Sequence, residues 1–309
     1  MRPLSATEKS RVVAATTEDR RLRIVAIALM CGAMLLFTGL DTSSKWLSQR
    51  LPISEIVWAR YMGATVFALL AARPWLRPAA LWSKRPGLQA LRSLFLLGST
   101  AFGVVALRSL QLAETATISF LLPILVALAA GPLLGERVGR ERMIAIVFGF
   151  LGVLIATRPG TSAFQPVVLI AIAGVLSNAG YFLATRKLAG VDSSQTTLVW
   201  TQVAGVALTT PLLPWTWATP QSLHVWAVMA GLGVFGAAGH WLVIAAHKYA
   251  PAPVLTPFSY TQLIWMIVSG LLVFGDVPPI ATLIGAAVVV ACGAFLALRE
   301  RAGRKTGMS

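Results

Sequence analysis

From residue 24 onward the chain alternates long apolar runs with short polar links. Ten runs are legible, at 24–44, 54–72, 89–107, 113–133, 142–157, 166–185, 194–213, 224–246, 253–274 and 279–297. A hydrocarbon core of about 30 Å is crossed by about 20 apolar residues in a helix. The pattern therefore predicts an all-α integral membrane protein with ten transmembrane helices. The links hold the charges and turn formers, as in ARPWLRPAALWSKRPG before the third run and RPGTSAFQ before the sixth. Residues 1–23 are polar and charged and are expected to form a disordered cytoplasmic tail, with 300–309 as a second tail. The first run follows a basic stretch, yet no small-residue cleavage site and polar mature chain succeed it, so it reads as a retained helix.

Composition sharpens this. Hydrophobic residues make up 57% of the 309, charged residues 12%, and mean hydropathy is +0.76; globular domains carry about 25% charged residues. The net charge of +15 does not form a basic domain for nucleic acid, because the lysines and arginines lie between the runs. With the tails and alternate links on one side, twenty-one fall there and four on the other, which places both termini in the cytoplasm. Arg60 lies within a run. Cys31 and Cys292 both sit in apolar segments and read as small packing side chains.

The two halves match each other. A shift of 142 places Lys45, Trp58, Arg60 and Gly63 on Lys187, Trp200, Gln202 and Gly205; a shift of 140 places Ala106, Arg108, Gly135 and Glu136 on Ala246, Lys248, Gly275 and Asp276. A duplicated five-helix unit, 24–158 and 159–299, accounts for these offsets. Because five is odd, the second copy enters from the opposite face, the inverted repeat of many secondary transporters.

Those residues carry a family resemblance. LAETATISFLLPILVALAAGPLLGE pairs with APVLTPFSYTQLIWMIVSGLLVFGD, and each precedes a glycine-containing helix, FGFLGVLIATRPG and LIGAAVVVACGAFLALRE. Together they resemble the two EamA domains of the drug/metabolite transporter superfamily. The resemblance implies ten helices, cytoplasmic termini and export or uptake of metabolites by alternating access; the composition suits a bacterial inner membrane, with an organelle membrane as the alternative. The ninth run is also similar to the branch that includes S-adenosylmethionine and riboflavin uptake carriers, while other members export drugs or amino acids.

Within that run, VLTPFSYTQLIWM places Thr256, Ser259 and Tyr260 at i, i+3 and i+4, with Gln262 three beyond Ser259 and Pro257 loosening the turn. The stripe is expected to line a substrate cavity; hydroxyls bonding a neighbouring helix are the plainer alternative. A charge at mid-bilayer costs about 2.5–3.5 kcal/mol or more, which singles out the others. Asp41 either pairs with Lys45 four residues on or serves as a proton acceptor or counter-ion. Arg60 either lies on the Trp58 indole or clamps a substrate carboxylate. Asn178 and Tyr181 share a face of the sixth helix, and His240 with Trp241 forms a candidate pair in the eighth, His240 being also a proton-coupling candidate. Glu114 reads as a helix cap, and Glu136 and Asp276 as structural turns or gate contacts. His240 and His247 are seven apart, too few for a metal site.

No G-x-x-x-x-G-K-[ST], HExxH or GxSxG sequence is present, so ATP-driven transport and the common membrane hydrolases have no support. Channel and integral membrane enzyme remain the alternatives from other classes. The expected partners are a small-molecule solute and the lipid bilayer, with no nucleic acid and no cofactor, the chain acting as a monomer or weak homodimer.

Overall fold

The computed structural model describes residues 6–72, 78, 82–134, 140–161, 163–188, 191–250 and 252–306; within helices, the side chains of 6–20, 127, 130–134, 140–142, 145, 146, 194, 252, 253, 256 and 296–306 lie outside the described set. In chain order the helices are α1 (Ala6–Ser48), α2 (Ile53–Ala72), α3 (Pro86–Ser109), α4 (Leu112–Ser119), α5 (Leu122–Leu134), α6 (Arg140–Thr157), α7 (Val167–Leu188), α8 (Ser194–Thr209), α9 (Leu213–Thr216), α10 (Leu223–Tyr249), α11 (Ala252–Ser259), α12 (Thr261–Ser269) and α13 (Ile280–Thr306). A 3₁₀ turn, Thr210–Leu212, joins α8 to α9, and a π-helical turn, Gly270–Phe274, follows α12.

Each apolar run lies on one helix or on consecutive helical pieces. Six described segments are long and apolar enough to cross a membrane: Arg21–Ser48, Ile53–Leu70, Pro86–Ser109, Val167–Leu188, Leu223–Tyr249 and Pro257–Phe274. Leu112–Val126, Val147–Thr157 and Ile280–Phe295 are shorter apolar helices. Helix α1 begins at Ala6, inside the stretch expected to be a disordered tail. That stretch is rich in Ala, Glu, Lys and Arg, which favour helix, and has no Gly or Pro after Pro3.

Local chemistry sets the ends. Pro86 opens α3 where its missing N–H costs nothing. The Ser193 hydroxyl accepts the Thr196 N–H at the start of α8, and Ser222 accepts that of Val225 at the start of α10. The fourth run breaks at Phe120–Leu121, where Pro123 cannot donate to the carbonyl four residues back. The ninth breaks at Tyr260, where the Thr261 hydroxyl donates to the Phe258 carbonyl at 2.6 Å. The two break points are 140 residues apart and share one conformation: φ −70°, ψ −5° at Phe120 and φ −70°, ψ −11° at Tyr260.

Helix packing respects the duplication. Helix α1 packs along α10, α3 along α7, α2 along α8 and α6 along α13. Exchanging each helix for its counterpart in the other half turns the first pair into the second and leaves the last two unchanged. At the α2–α10 crossing, Gly63 and Gly233 meet main chain to main chain; a Cβ on Gly63 would collide with the Gly233 Cα.

Candidate functional site

Helices α1 and α2 are antiparallel neighbours joined by a tight turn in which the Arg50 and Leu51 N–H groups donate to Leu47. Asp41 lies seven residues before the end of α1 and Arg60 seven after the start of α2. At 1.5 Å per residue, both sit about 10 Å from the turn. That common depth brings an Arg60 Nη1 to 3.8 Å from Asp41 Oδ1. The same nitrogen donates to Ser44 Oγ at 3.2 Å, and Gln262 Nε2, from α12 in the other half, donates to Asp41 Oδ2 at 3.4 Å. The Arg60 and Asp41 side chains keep 21% and 23% of their surface open although protein surrounds Asp41. Both side chains thus keep surface that a small molecule can reach.

His240 stands beside this cluster on α10. Its ring meets Phe37 edge to face at 5.0 Å and lies within electrostatic reach of Arg60. The imidazole belongs to an exposed residue and keeps open surface on this side of α10.

The remaining expected residues part company. Trp58 and Trp241 line a separate recess of about 810 Å³ between α2 and α10, with Met62, Val66, Phe67 and Trp226. This recess is almost wholly apolar, and Val66, Val234 and Trp241 are more than half exposed, so it faces lipid. Trp58 and Trp241, expected with Arg60 and His240 among the substrate-binding residues and two residues and one residue from them in sequence, thus line a different surface of α2 and α10. Trp58 Nε1 instead donates to the Thr210 hydroxyl, and its ring meets Trp217.

Tyr260 and Gln262 do not form one stripe. The turn at Tyr260 and the two-residue spacing send them to different neighbours: Gln262 reaches α1, while Tyr260, 8% exposed, meets Phe120 edge to face with centroids 4.9 Å apart. Ser259 is half-buried beside them, and the Thr256 side chain lies outside the described residues. Asn178 is half-buried on α7. One turn on, the Tyr181 hydroxyl accepts from Arg92 Nη2 at 2.8 Å with the guanidinium 4.4 Å from the ring centroid.

Two ionic clusters escape the sequence reading. Arg92, which by sequence falls among the link charges, lies inside α3 and is 4% exposed. It donates to the Thr185 hydroxyl at 2.6 Å, the Thr197 carbonyl at 3.2 Å and the Thr201 hydroxyl, besides Tyr181. Its place six residues past Pro86, followed by LFLL two residues on, is the signal the sequence offers. Lys45 does not pair with Asp41. Its Nζ donates to Asp276 Oδ2 at 2.9 Å and the Leu110 carbonyl at 2.8 Å, 4.8 Å from the Phe274 ring centroid. Gly275, at φ +70°, makes the left-handed turn that presents Asp276. Asp276 is thus a contact between the halves; its counterpart Glu136 lies outside the described residues. Glu114 caps α4 by accepting the Gln111 N–H at 3.3 Å. Among the described residues no group of three or more His, Cys, Asp or Glu is placed to hold a metal ion.

Comparison with known proteins meets this geometry on both halves: the EamA-like transporter family matches residues 24–158 and again 165–299. The chain belongs to the EamA-like transporter family. It is a multi-pass membrane protein of a transporter family and not an enzyme. A riboflavin transporter of Vibrio cholerae is 31% identical over 174 residues, 56% of this chain and 58% of that protein. An S-adenosylmethionine uptake transporter of Rickettsia prowazekii is 24% identical over 84% of this chain and 88% of its own length. A riboflavin transporter of Brucella anthropi is 25% identical over 89% and 98%. A solved crystal structure at 20% identity superposes with a TM-score of 0.60 over 92% of this EamA chain and 98% of the other, a likeness of fold.

Proposed function

We propose that this EamA protein is a secondary transporter that carries a small organic metabolite between two inverted five-helix repeats by alternating access. The cluster of Asp41, Arg60 and Gln262 carries this reading, because α1 and α2 belong to the first repeat and α12 to the second. A solute bound there touches both halves. The exchange of packing partners between the halves, and the matching breaks at Phe120 and Tyr260, support ten crossings in two opposed units. The lysine and arginine distribution supports cytoplasmic termini.

In this reading Arg60, Asp41, Gln262 and His240 contact the solute, with Asp41 and His240 the candidates for proton coupling. Tyr260 and Tyr181 hold helices together around the site. The named relatives make riboflavin and S-adenosylmethionine the first solutes to try. Proteoliposomes preloaded with unlabelled solute should take up the labelled form by counterflow, with saturation, and release it chemically unchanged. Linear flux without saturation would indicate a channel instead.

A further inference from the structure

Three ionic clusters in this bundle differ in how fully their bonding capacity is used. Lys45 is held by a carboxylate at 2.9 Å and a carbonyl at 2.8 Å, and is 6% exposed. Arg92 donates to four protein oxygens on α7 and α8 and is 4% exposed. Both are finished structural joints. Arg60 is not: among the described residues only Nη1 is engaged, with one hydroxyl at 3.2 Å and one carboxylate oxygen at 3.8 Å. A guanidinium has five N–H donors in a planar fork, so its Nε and Nη2 edges are unused. Asp41 is no better served, since its one hydrogen bond within the cluster, from Gln262, is 3.4 Å long. None of these Arg60 or Asp41 atoms is fully buried without a partner, so the spare capacity is open to a ligand.

The geometry points to a binding site for a dipolar ion, in which Arg60 takes a carboxylate as a bidentate pair and Asp41 takes an ammonium or other cationic centre of the same molecule. The inference rests on the transporter reading above and names its substrate class. Electrostatics selects for both charges at once. Asp41 and Arg60 carry opposite charges, and the ammonium and carboxylate of one α-amino acid head match them charge for charge. A solute with only one of the two charges leaves the other member of the pair unmatched at hydrocarbon depth, which is costly, whereas S-adenosylmethionine carries the full α-amino acid head together with a sulfonium. The loose Asp41–Arg60 contact is what such a ligand would replace, with two short charge-assisted pairs in place of one long one.

The test is counterflow and competition on the full-length protein in liposomes, with S-adenosylmethionine and riboflavin as labelled solutes. Methionine, N-acetylmethionine and methionine methyl ester serve as zwitterionic, anionic and cationic competitors. The expected result is saturable S-adenosylmethionine counterflow inhibited by methionine, the two singly charged analogues being weaker by about tenfold or more. Asp41→Asn should weaken methionine more than N-acetylmethionine, and Arg60→Gln should weaken it more than the methyl ester. Stabilisation of the unmutated protein against heat, by methionine and not by either analogue, gives a second readout should the variants fail to fold. Saturable flux of riboflavin alone, or equal inhibition by all three competitors, overturns the zwitterion site and leaves the transporter reading standing. No saturable flux of either solute, with no thermal stabilisation by any compound, overturns both.

Discussion

Lys45 and Asp276 lie 231 residues apart and join the end of α1 to the turn before α13 through a 2.9 Å ion pair. The lysine is nearly buried and the aspartate about a quarter exposed, so removing one partner leaves the other poorly solvated. Lys45→Met should destabilise the protein by about 3–5 kcal/mol. Lys45→Met combined with Asp276→Leu should recover most of that loss, since replacing both members of a buried pair is often nearly neutral. Melting curves of the three variants decide this, and a double variant no better than Lys45→Met would contradict it.

The Tyr260 hydroxyl rests against the main chain at Gly293, so a Cβ built there falls on the phenol oxygen. Gly293→Ala should cost about 1–3 kcal/mol through overpacking. Gly103 is the control: an added Cβ there would meet nothing within 4 Å, and Gly103→Ala should not lower the melting temperature. Adding Tyr260→Leu to Gly293→Ala should restore part of the stability. Equal effects at both glycines would show that the contact is not as described.

Arg92 uses the planar fork of its guanidinium, with Nε, Nη1 and Nη2 all engaged. A lysine keeps the charge and loses that geometry. Arg92→Lys should therefore lower the melting temperature well below the unmutated value, by an amount equivalent to about 2–4 kcal/mol. A charge-only role predicts no change.

Outside the hydrocarbon, Asp192 ties the α7–α8 link to the start of α3. Burial pushes its carboxyl up, but bonds from the Ser83 hydroxyl, the Lys84 N–H and the Gln89 amide outweigh this and hold it below its ordinary 3.8. A depressed folded pKa contributes stability above the unfolded value, lost as pH falls through the folded one. Asp192→Asn should thus melt below the unmutated protein at about pH 7, the gap closing toward about pH 3. A gap constant with pH would assign the effect to geometry alone.

The helical class and the duplicated halves are legible because hydropathy and near-constant offsets are properties of the chain itself. The helix breaks are less so: Pro123 marks the first, yet the fourth run reads as continuous, since its apolar residues hide the interruption. Pairing misleads where a local rule competes with a distant partner. Asp41 and Lys45 have ideal i, i+4 spacing, but a turn made possible by Gly275 delivers Asp276 to Lys45 and frees Asp41 for Arg60. Nearness in sequence groups Trp58 with Arg60 and Trp241 with His240, but on a helix two residues mean a rotation of about 200° and one residue about 100°.

The glycine-to-glycine crossing of α2 and α10 has a mechanical corollary. With no side chain between the two main chains, there is nothing to slide, swing or repack when they part. The spacing of the two helices, which carry Arg60 and His240, is therefore set by main chain alone, and a side chain added at Gly63 or Gly233 would push those two helices apart.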